Sequence, residues 1–400
     1  MSKDRIKYLI IGNGIAGTTA AEEIRKIDGH NPILMISDED YLTYYRVKLS
    51  HFINKKYSLT ELLIHDEDWY KEKNIQIKLG KRIKSIDIRN CSVQLEDGEK
   101  IDYEKLLVAN GGSASIPEVM GAEKKGIYAL RNLEDLEKVQ EYLLNCKEVA
   151  VIGGGLLGLE AAWALKELGL RVNVVEFFPY LLPKQLDSEL AKHVKEQLEQ
   201  RGLYIHLGAA AEEIVGEDRV EGIVLQDGQV IPVDMVLFST GMKSNRVIVE
   251  GTNIQTNKGI QVNAFMETSQ ENIYAAGDVA EFEGVVMGLW STAMDQGKIA
   301  GRNMAGIQER YKPLKPATYL SIGGFSLFSV GEIDGEQFSL SYQEETVFHK
   351  LFIKDGKLIG GVLTGDIKKM AKLKKAVNDG LDVSSMLQEG LSLQEVLEKL

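Results

Sequence analysis

Cysteine is almost missing from this chain: its 400 residues hold two, Cys91 and Cys146, far apart. That excludes a C-x-x-C redox pair, a zinc site built on cysteine spacing and a disulfide framework, and it suits a reducing cytoplasm. Each thiol reads first as a small apolar residue. Long apolar runs are missing too, none approaching the roughly 18 residues that span a bilayer. The N-terminal stretch YLIIGNGIAGTTAA is too short for that, is broken by glycines and leads into Glu22 and Glu23. It reads as strand, turn and helix rather than as a secretory leader. Positive charge is in deficit, with 47 Lys and Arg against 59 Asp and Glu and a net charge of -12. A global negative field repels nucleic acid and anionic membrane, and neither is expected as a main partner. A small anionic cofactor escapes that exclusion, because backbone amides can bind it locally.

What is present is 44% apolar residues over a length that suits two or three domains, and a glycine pattern that occurs twice. Tyr8 to Ile11 (YLII) has the composition of a buried parallel strand. It is followed by Gly12-Asn13-Gly14-Ile15-Ala16-Gly17 and the helix-like TTAAEEIRK. In such a strand, turn and helix, Gly12 permits the turn, Gly14 lets backbone approach a pyrophosphate, and Gly17 lets helix and strand pack closely. Ile15 and Ala16 open a helix whose first amides face the anion. The second copy runs from Glu148 to Ile152 (EVAVI) into Gly153-Gly154-Gly155-Leu156-Leu157-Gly158 and LEAAWALKELG. Its next strand, VNVV, ends at Glu176. One such loop is weak evidence, but two in full context imply two dinucleotides. Glu176 stands where a carboxylate accepts hydrogen bonds from ribose hydroxyls and repels a 2'-phosphate, and no arginine follows it, so NADH is expected over NADPH. At the first loop the matching position is Ser37, with Asp38 and Glu39 just beyond, and which of these holds the ribose stays open.

In these residues the chain resembles the two-dinucleotide flavoproteins of the pyridine nucleotide-disulfide oxidoreductase superfamily. The likeness covers roughly residues 5 to 310. Tyr103 to Gly112 (YEKLLVANGG) resembles the family's strand ending in A-T-G, with Asn110 between Ala109 and Gly111. Gly241 to Asn245 resembles its G-x-x-P-N turn, with Ser244 in place of proline. Asn272 to Val279 (NIYAAGDV) resembles its second FAD motif, in which Gly277 and Asp278 face the ribityl chain. Asp295-Gln296-Gly297 resembles the helix under the flavin, with Trp290 ahead of it. Tyr41 to His51 (YLTYYRVKLSH) is similar to the Y-x-R-P-P-L-S-K segment of the rubredoxin and ferredoxin reductases. In that segment Arg46 matches the arginine that lies against FAD. Lys48 replaces a proline and His51 replaces the lysine.

The resemblance implies FAD on the first loop, with Arg82 and Ile83 also on its FAD face, and NAD(H) on the second. It implies hydride transfer from nicotinamide to flavin without a general base, the two rings being brought into contact. Lys48 is the expected cation beside the flavin and Glu160 its expected charge partner. The implied fold is α/β, with two Rossmann-like domains and a small C-terminal α+β domain. Their expected boundaries are 1–112 with 243–310 for a discontinuous FAD domain, 113–242 for the NAD domain and 311–400 for the last. In that last part, alternating apolar strands around Lys354-Asp355-Gly356-Lys357 predict a hairpin in an antiparallel sheet. Ser392-Leu393-Gln394-Glu395 has capping-box spacing, and the apolar tail is expected to pack on the body or to meet a partner.

No cysteine falls between Met35 and His51, where many of these enzymes keep a redox thiol, so electrons are expected to leave the chain. The strongest expectation is an NADH-oxidising reductase of the rubredoxin reductase and assimilatory nitrite reductase type, passing electrons to an acidic carrier such as rubredoxin or ferredoxin. Docking would then use a basic patch, either Lys368, Lys369, Lys372, Lys374 and Lys375, or Lys71, Lys73, Lys78, Lys81, Arg82 and Lys84. An oxygen-reducing NADH oxidase, the reductase component of a nitrite or oxygenase system, and an NADH-responsive binding protein are the alternatives. A homodimer through the C-terminal part is an expectation by analogy.

Overall fold

The computed structural model describes residues 5–400. The chain divides into two compact units. One contains the residues up to Lys48, Tyr57–Ala114 and Gly241–Pro313, and the other contains Leu49–Lys56, Ser115–Thr240 and Leu314–Leu400.

In the first unit the apolar run of Ile6–Ile11 forms the centre of a parallel sheet. Strands lie side by side in the order Ile75–Lys78, Ile33–Ile36, Ile6–Ile11, Lys100–Val108 and Ile273–Ala275. A parallel sheet covered on both faces needs nearly continuous apolar strands, and the buried ILMI of Ile33–Ile36 is such a run. An antiparallel extension, Ile83–Asp87 and Ser92–Leu95, pairs with the first half of Lys100–Val108. Helices Ile15–Ile27 and Trp290–Met304 pack together through small residues. A Cβ on Gly297 would meet the carbonyl of Ala16, and one on Gly301 that of Ala20. The two helices therefore approach at backbone distance.

In the second unit the order recurs with different residues. Tyr204–Leu207, Arg171–Glu176, Glu148–Ile152, Met235–Phe238 and Ile127–Ala129 form a five-stranded parallel sheet. Residues after Leu314 build a separate antiparallel sheet, in the order Ala317–Ile322, Phe325–Gly331, Lys357–Thr364, Val347–Lys354 and Phe338–Glu344. The expected hairpin closes with Lys354 opposite Lys357. Asp355 and Gly356 both have positive φ, as a two-residue type I' turn requires. Helix Leu393–Lys399 starts at the predicted capping box, and Leu393, Val396 and Leu397 are buried in the C-terminal core. The tail packs on the body.

The helix contact in the first unit gives a stability test. Gly297→Ala forces a methyl into backbone that cannot retreat, and overpacking of this kind costs about 2 kcal/mol. Thermal unfolding should show a lowered midpoint, and an unchanged midpoint would contradict the close approach.

Candidate functional site: two nucleotide loops

The two glycine loops are congruent. Gly12 and Gly153 have φ of 107° and 117°. Their amides donate to Ile36 O and Val175 O, at 2.8 Å each. A Cβ on Gly12 would collide with the carbonyl of Ala109, and one on Gly153 with that of Ser239. A Cβ on Gly17 or Gly158 would strike the carbonyl of Gly12 or Gly153. At Gly14 and Gly155 a Cβ would have no heavy atom within 4 Å, so the backbone there faces open space. Both are extended N-caps, at φ -80°, of helices Ile15–Ile27 and Leu156–Glu167, and neither helix has a side-chain cap. The first amides of each helix, at Ile15, Ala16, Leu156 and Leu157, are therefore left for an anion, and the helix dipole favours one.

At the second loop Glu176 ends its strand and is only 6% exposed. Its carboxylate accepts from Gly154 N at 2.6 Å and Phe178 N at 2.8 Å, which fixes it beside the loop. Phe177 and Phe178 expose their rings next to it in an edge-on pair, 5.6 Å apart. At the first loop the strand register gives Ser37 the position that Glu176 holds at the second. Ile36 pairs with Ile11 as Val175 pairs with Ile152. Ser37 is buried and accepts from Glu39 N at 3.1 Å. Asp38 is exposed, 3.6 Å from Arg82, and Ile83 begins the neighbouring strand. Glu39 is committed elsewhere, since one oxygen pairs with Arg46 and the other accepts from Tyr44 Oη at 2.7 Å. Tyr44 in turn accepts from Arg46 Nη1 at 2.8 Å. Burial by itself would lower the pKa of the Arg46 guanidinium, but Tyr44 and Glu39 more than offset it, and it stands raised.

The other expected flavin residues fall in the same unit. Asn110 follows strand Lys100–Val108, and its Nδ2 donates to Asn245 O at 2.8 Å. Its Oδ1 is buried with no hydrogen-bond partner among the described residues. Gly111 and Gly241 have φ of 68° and 94°. Gly277 is also left-handed, and its N–H donates to the buried Gln296 Oε1 at 2.9 Å. The carbonyl of Asp278 takes the hydroxyl of Ser244 at 2.8 Å. The D-Q-G sequence thus has a mechanical reading: Gln296 pins the turn at Gly277 and Asp278, and Gly297 admits Ala16. Trp290 begins its helix and stacks on Tyr45 with ring centres 5.9 Å apart. Lys48 Nζ lies 4.2 Å from the centre of the same Tyr45 ring.

Lys48 and Glu160, expected to pair, fall in different compact units, and each has partners within its own. Glu160 Oε2 accepts from Ser50 Oγ at 2.8 Å, and its Oε1 lies 3.6 Å from His51 Nε2. Lys48 instead rests on an aromatic face, where the ring quadrupole attracts its charge. Sequence reasoning does not find Ser50, because nothing local points to a contact across 110 positions.

Most of the basic side chains in the two clusters are paired within the chain. Lys368, Lys369 and Lys375 pair with Asp366, Glu398 and Asp379. Lys71, Lys78, Lys81 and Arg82 pair with Glu67 and Asp68, Glu99, Asp97 and Asp38. Lys372, Lys374, Lys73 and Lys84 have no ion pair among the described residues. Neither cluster is a field of uncompensated positive charge. Among the described residues, no helix is long and apolar enough to cross a membrane.

These features define a class, the oxidoreductases with two dinucleotide loops. The model of the pyridine nucleotide-disulphide oxidoreductase family matches residues 6–297, and that of the rubredoxin NAD+ reductase C-terminal domain matches residues 316–381. The chain belongs to the pyridine nucleotide-disulphide oxidoreductase family. The cofactors of that family are FAD and NAD(H), and the chain has a glycine loop for each. An assimilatory nitrate reductase electron transfer subunit of Bacillus subtilis is 34% identical over 390 residues, 96% of this chain and 50% of the relative. The chain thus spans about half the length of the first curated relatives it matches. The NADH-rubredoxin oxidoreductase of Clostridium acetobutylicum is 34% identical over 397 residues, 98% of this chain and 99% of the relative. The crystal structure of NADH:rubredoxin oxidoreductase from that organism matches with a TM-score of 0.83 and 32% identity, over 98% of this chain and 99% of that one.

Neither cysteine lies in a glycine loop or within the segment from Met35 to His51. Burial pushes the Cys146 thiol up to about 11, so it is protonated at neutral pH and a poor nucleophile. The double variant Cys91→Ser, Cys146→Ser should reduce its flavin with NADH within about twofold of the parent rate, given that no thiol step is involved. Stopped-flow bleaching of the flavin absorbance checks this, and loss of bleaching in a folded variant would restore a thiol mechanism.

Proposed function

We propose that this chain is an FAD-dependent NADH oxidoreductase that reduces a small one-electron carrier protein such as rubredoxin. The observation that carries the reading is the pair of congruent, uncapped glycine loops in a chain with no thiol placed to receive electrons. In this reading the first loop holds FAD, in a domain of residues 1–112 and 243–310, and the second holds NADH, in residues 113–242. Gly12, Gly14 and the amides of Ile15, Ala16 and Gly17 cradle the FAD pyrophosphate. Asn110 fits the flavin ring rather than the pyrophosphate, since its buried Oδ1 has no partner among the described residues and a flavin N–H would supply one. Asp278 and Trp290 complete the first site, with Arg46 and Lys48 as its nearby positive charges. FAD, when bound, supplies an acceptor for the hydride of NADH and a donor of single electrons.

The residues of the second loop bind and orient. Gly153, Gly155 and Gly158 allow the NADH pyrophosphate to reach the helix amides. Glu176, already held by two amides, accepts from both ribose hydroxyls without having to be ordered on binding. A 2'-phosphate would bring like charge against that carboxylate, which favours NADH. With most of the clustered lysines paired, carrier docking in this reading depends on contact shape more than on long-range attraction.

Two experiments test the reading. The yellow protein is mixed anaerobically with NADH and then with rubredoxin, ferredoxin or oxygen under matched conditions. The flavin should bleach with NADH and recover fastest with a carrier; absence of bleaching, or faster recovery with oxygen, would sink the proposal. Separately, Glu176→Ser should lower kcat/KM for NADH by roughly 10- to 100-fold, the worth of hydrogen bonds to a charged group, and narrow the gap to NADPH. A parent enzyme that prefers NADPH would refute the role of Glu176.

A further inference from the structure

Two rings beside the second nucleotide loop take none of the roles above. Phe177 and Phe178 directly follow Glu176 and are 67% and 49% exposed. A single exposed apolar side chain needs no account. Here two rings keep a defined edge-on arrangement, with centres 5.6 Å apart and planes at 82°, a geometry that aromatic quadrupoles favour. Their backbone is held on both sides. Phe178 N donates to Glu176 Oε1 at 2.8 Å, and Phe178 O accepts from Gly208 N at 2.9 Å. Ala209 N donates to Glu176 O at 2.9 Å. The neighbouring strand Tyr204–Leu207 therefore leads into a segment, residues 208–210, that runs beside the rings' own backbone. That segment reads Gly208-Ala209-Ala210 and carries little bulk, and a Cβ on Gly208 would meet no heavy atom within 4 Å. All of these residues belong to one compact unit.

The size of the patch selects its occupant. The two rings expose on the order of 200 Å² between them, taking about 200 Å² for a whole aromatic side chain. A stable protein partner covers about 800 Å², whereas one heterocyclic base is matched by a ring or two. Its place selects the base. With the ribose of NADH on Glu176, the adenine is a single glycosidic bond away. It then lies past the carboxyl end of the strand, where the residue after the acid stands. In sites that bind a 2'-phosphate, an arginine nearby meets it; here the neighbours are phenyl rings, which offer a π face and no charge. We propose that Phe177 is the platform on which the adenine of NADH stacks, with Phe178 as the pinned brace that holds the Phe177 ring in place. The inference rests on the proposed function and deepens it, because it names the residue by which the second site selects an adenine dinucleotide over a bare nicotinamide nucleotide. Phe177 binds the half of the donor that does not react, so its contribution is to affinity and selectivity. Stacking on an aromatic face is worth about 1–3 kcal/mol per base when the ring is removed, which at about 1.4 kcal/mol per decade is tenfold or more.

The test uses the holoenzyme with two hydride donors, NADH and reduced nicotinamide mononucleotide, which carries the same nicotinamide and no adenine. Phe177→Leu keeps an apolar side chain without the π face. In that variant the ratio of kcat/KM for NADH to kcat/KM for the mononucleotide should fall about tenfold, and Phe177→Trp should hold the ratio at or above the parent value. Independently of turnover, ADP-ribose titrated into the holoenzyme in a calorimeter should bind Phe177→Leu about tenfold more weakly than it binds the parent, with Phe177→Trp again at least as tight as the parent. An unchanged ratio in Phe177→Leu, a parallel loss with both donors, or equal affinity of the parent and Phe177→Leu for ADP-ribose would each overturn the platform. The two failures are separable. A parent whose flavin does not bleach with NADH ends the proposed function itself, whereas a parent that bleaches normally beside a Phe177→Leu variant of unchanged ratio ends only the role of Phe177.

Discussion

Everything in the two nucleotide sites depends on one close approach, that of a glycine turn to the carbonyl at the end of a neighbouring strand. Gly12 sits against Ala109 O and Gly153 against Ser239 O, at distances no side chain permits. A second glycine in each motif, Gly17 or Gly158, folds the helix back over the carbonyl of the first. The helix N-terminus is thereby locked over the carboxyl edge of the parallel sheet, its amides uncapped. An anion at that edge meets aligned donors and a positive dipole without any charged side chain. In a chain with net charge -12, this is how two polyanionic cofactors can be held.

Around that shared frame the two sites diverge in their use of charge. At the second loop a buried carboxylate, Glu176, is satisfied by backbone and presents an acceptor. At the first, the acid nearest in sequence that is not exposed, Glu39, is consumed by Arg46 and Tyr44. The basic side chains of the Tyr41 to His51 segment are likewise distributed among different partners. Arg46 goes to Glu39, Lys48 to the face of Tyr45, and His51 to Glu160. One short stretch therefore supplies three basic side chains with three different neighbours, which its cysteine-free sequence could not disclose.

The glycine loops, the strands beside them, the hairpin at Asp355 and Gly356, the capping box at Ser392 and the missing thiol were all legible in the sequence. Each is written within about a dozen residues, and each rests on a local rule: which residue tolerates positive φ, which side chain caps a helix, which run is apolar enough for both faces of a sheet. The G-D and D-Q-G motifs were legible as a resemblance, but their reason was not. That Gln296 holds the amide of Gly277 and that Gly297 admits Ala16 follows only once two helices and a turn from distant parts of the chain have met.

Contacts between charged side chains were the least legible. Nothing local in the sequence sets Glu160 beside Ser50 and His51, which it faces. Part of the compensation of the lysine clusters is hidden in the sequence, because Glu398, Glu99 and Asp97, partners of Lys369, Lys78 and Lys81, lie 29, 21 and 16 positions away. The sequence by itself determined that the chain would build two dinucleotide loops and keep no thiol between Met35 and His51, because backbone sterics and residue chemistry act locally. Only the tertiary structure decided which carboxylate each cation meets, because ion pairs are set by whichever elements the fold brings within a few ångströms.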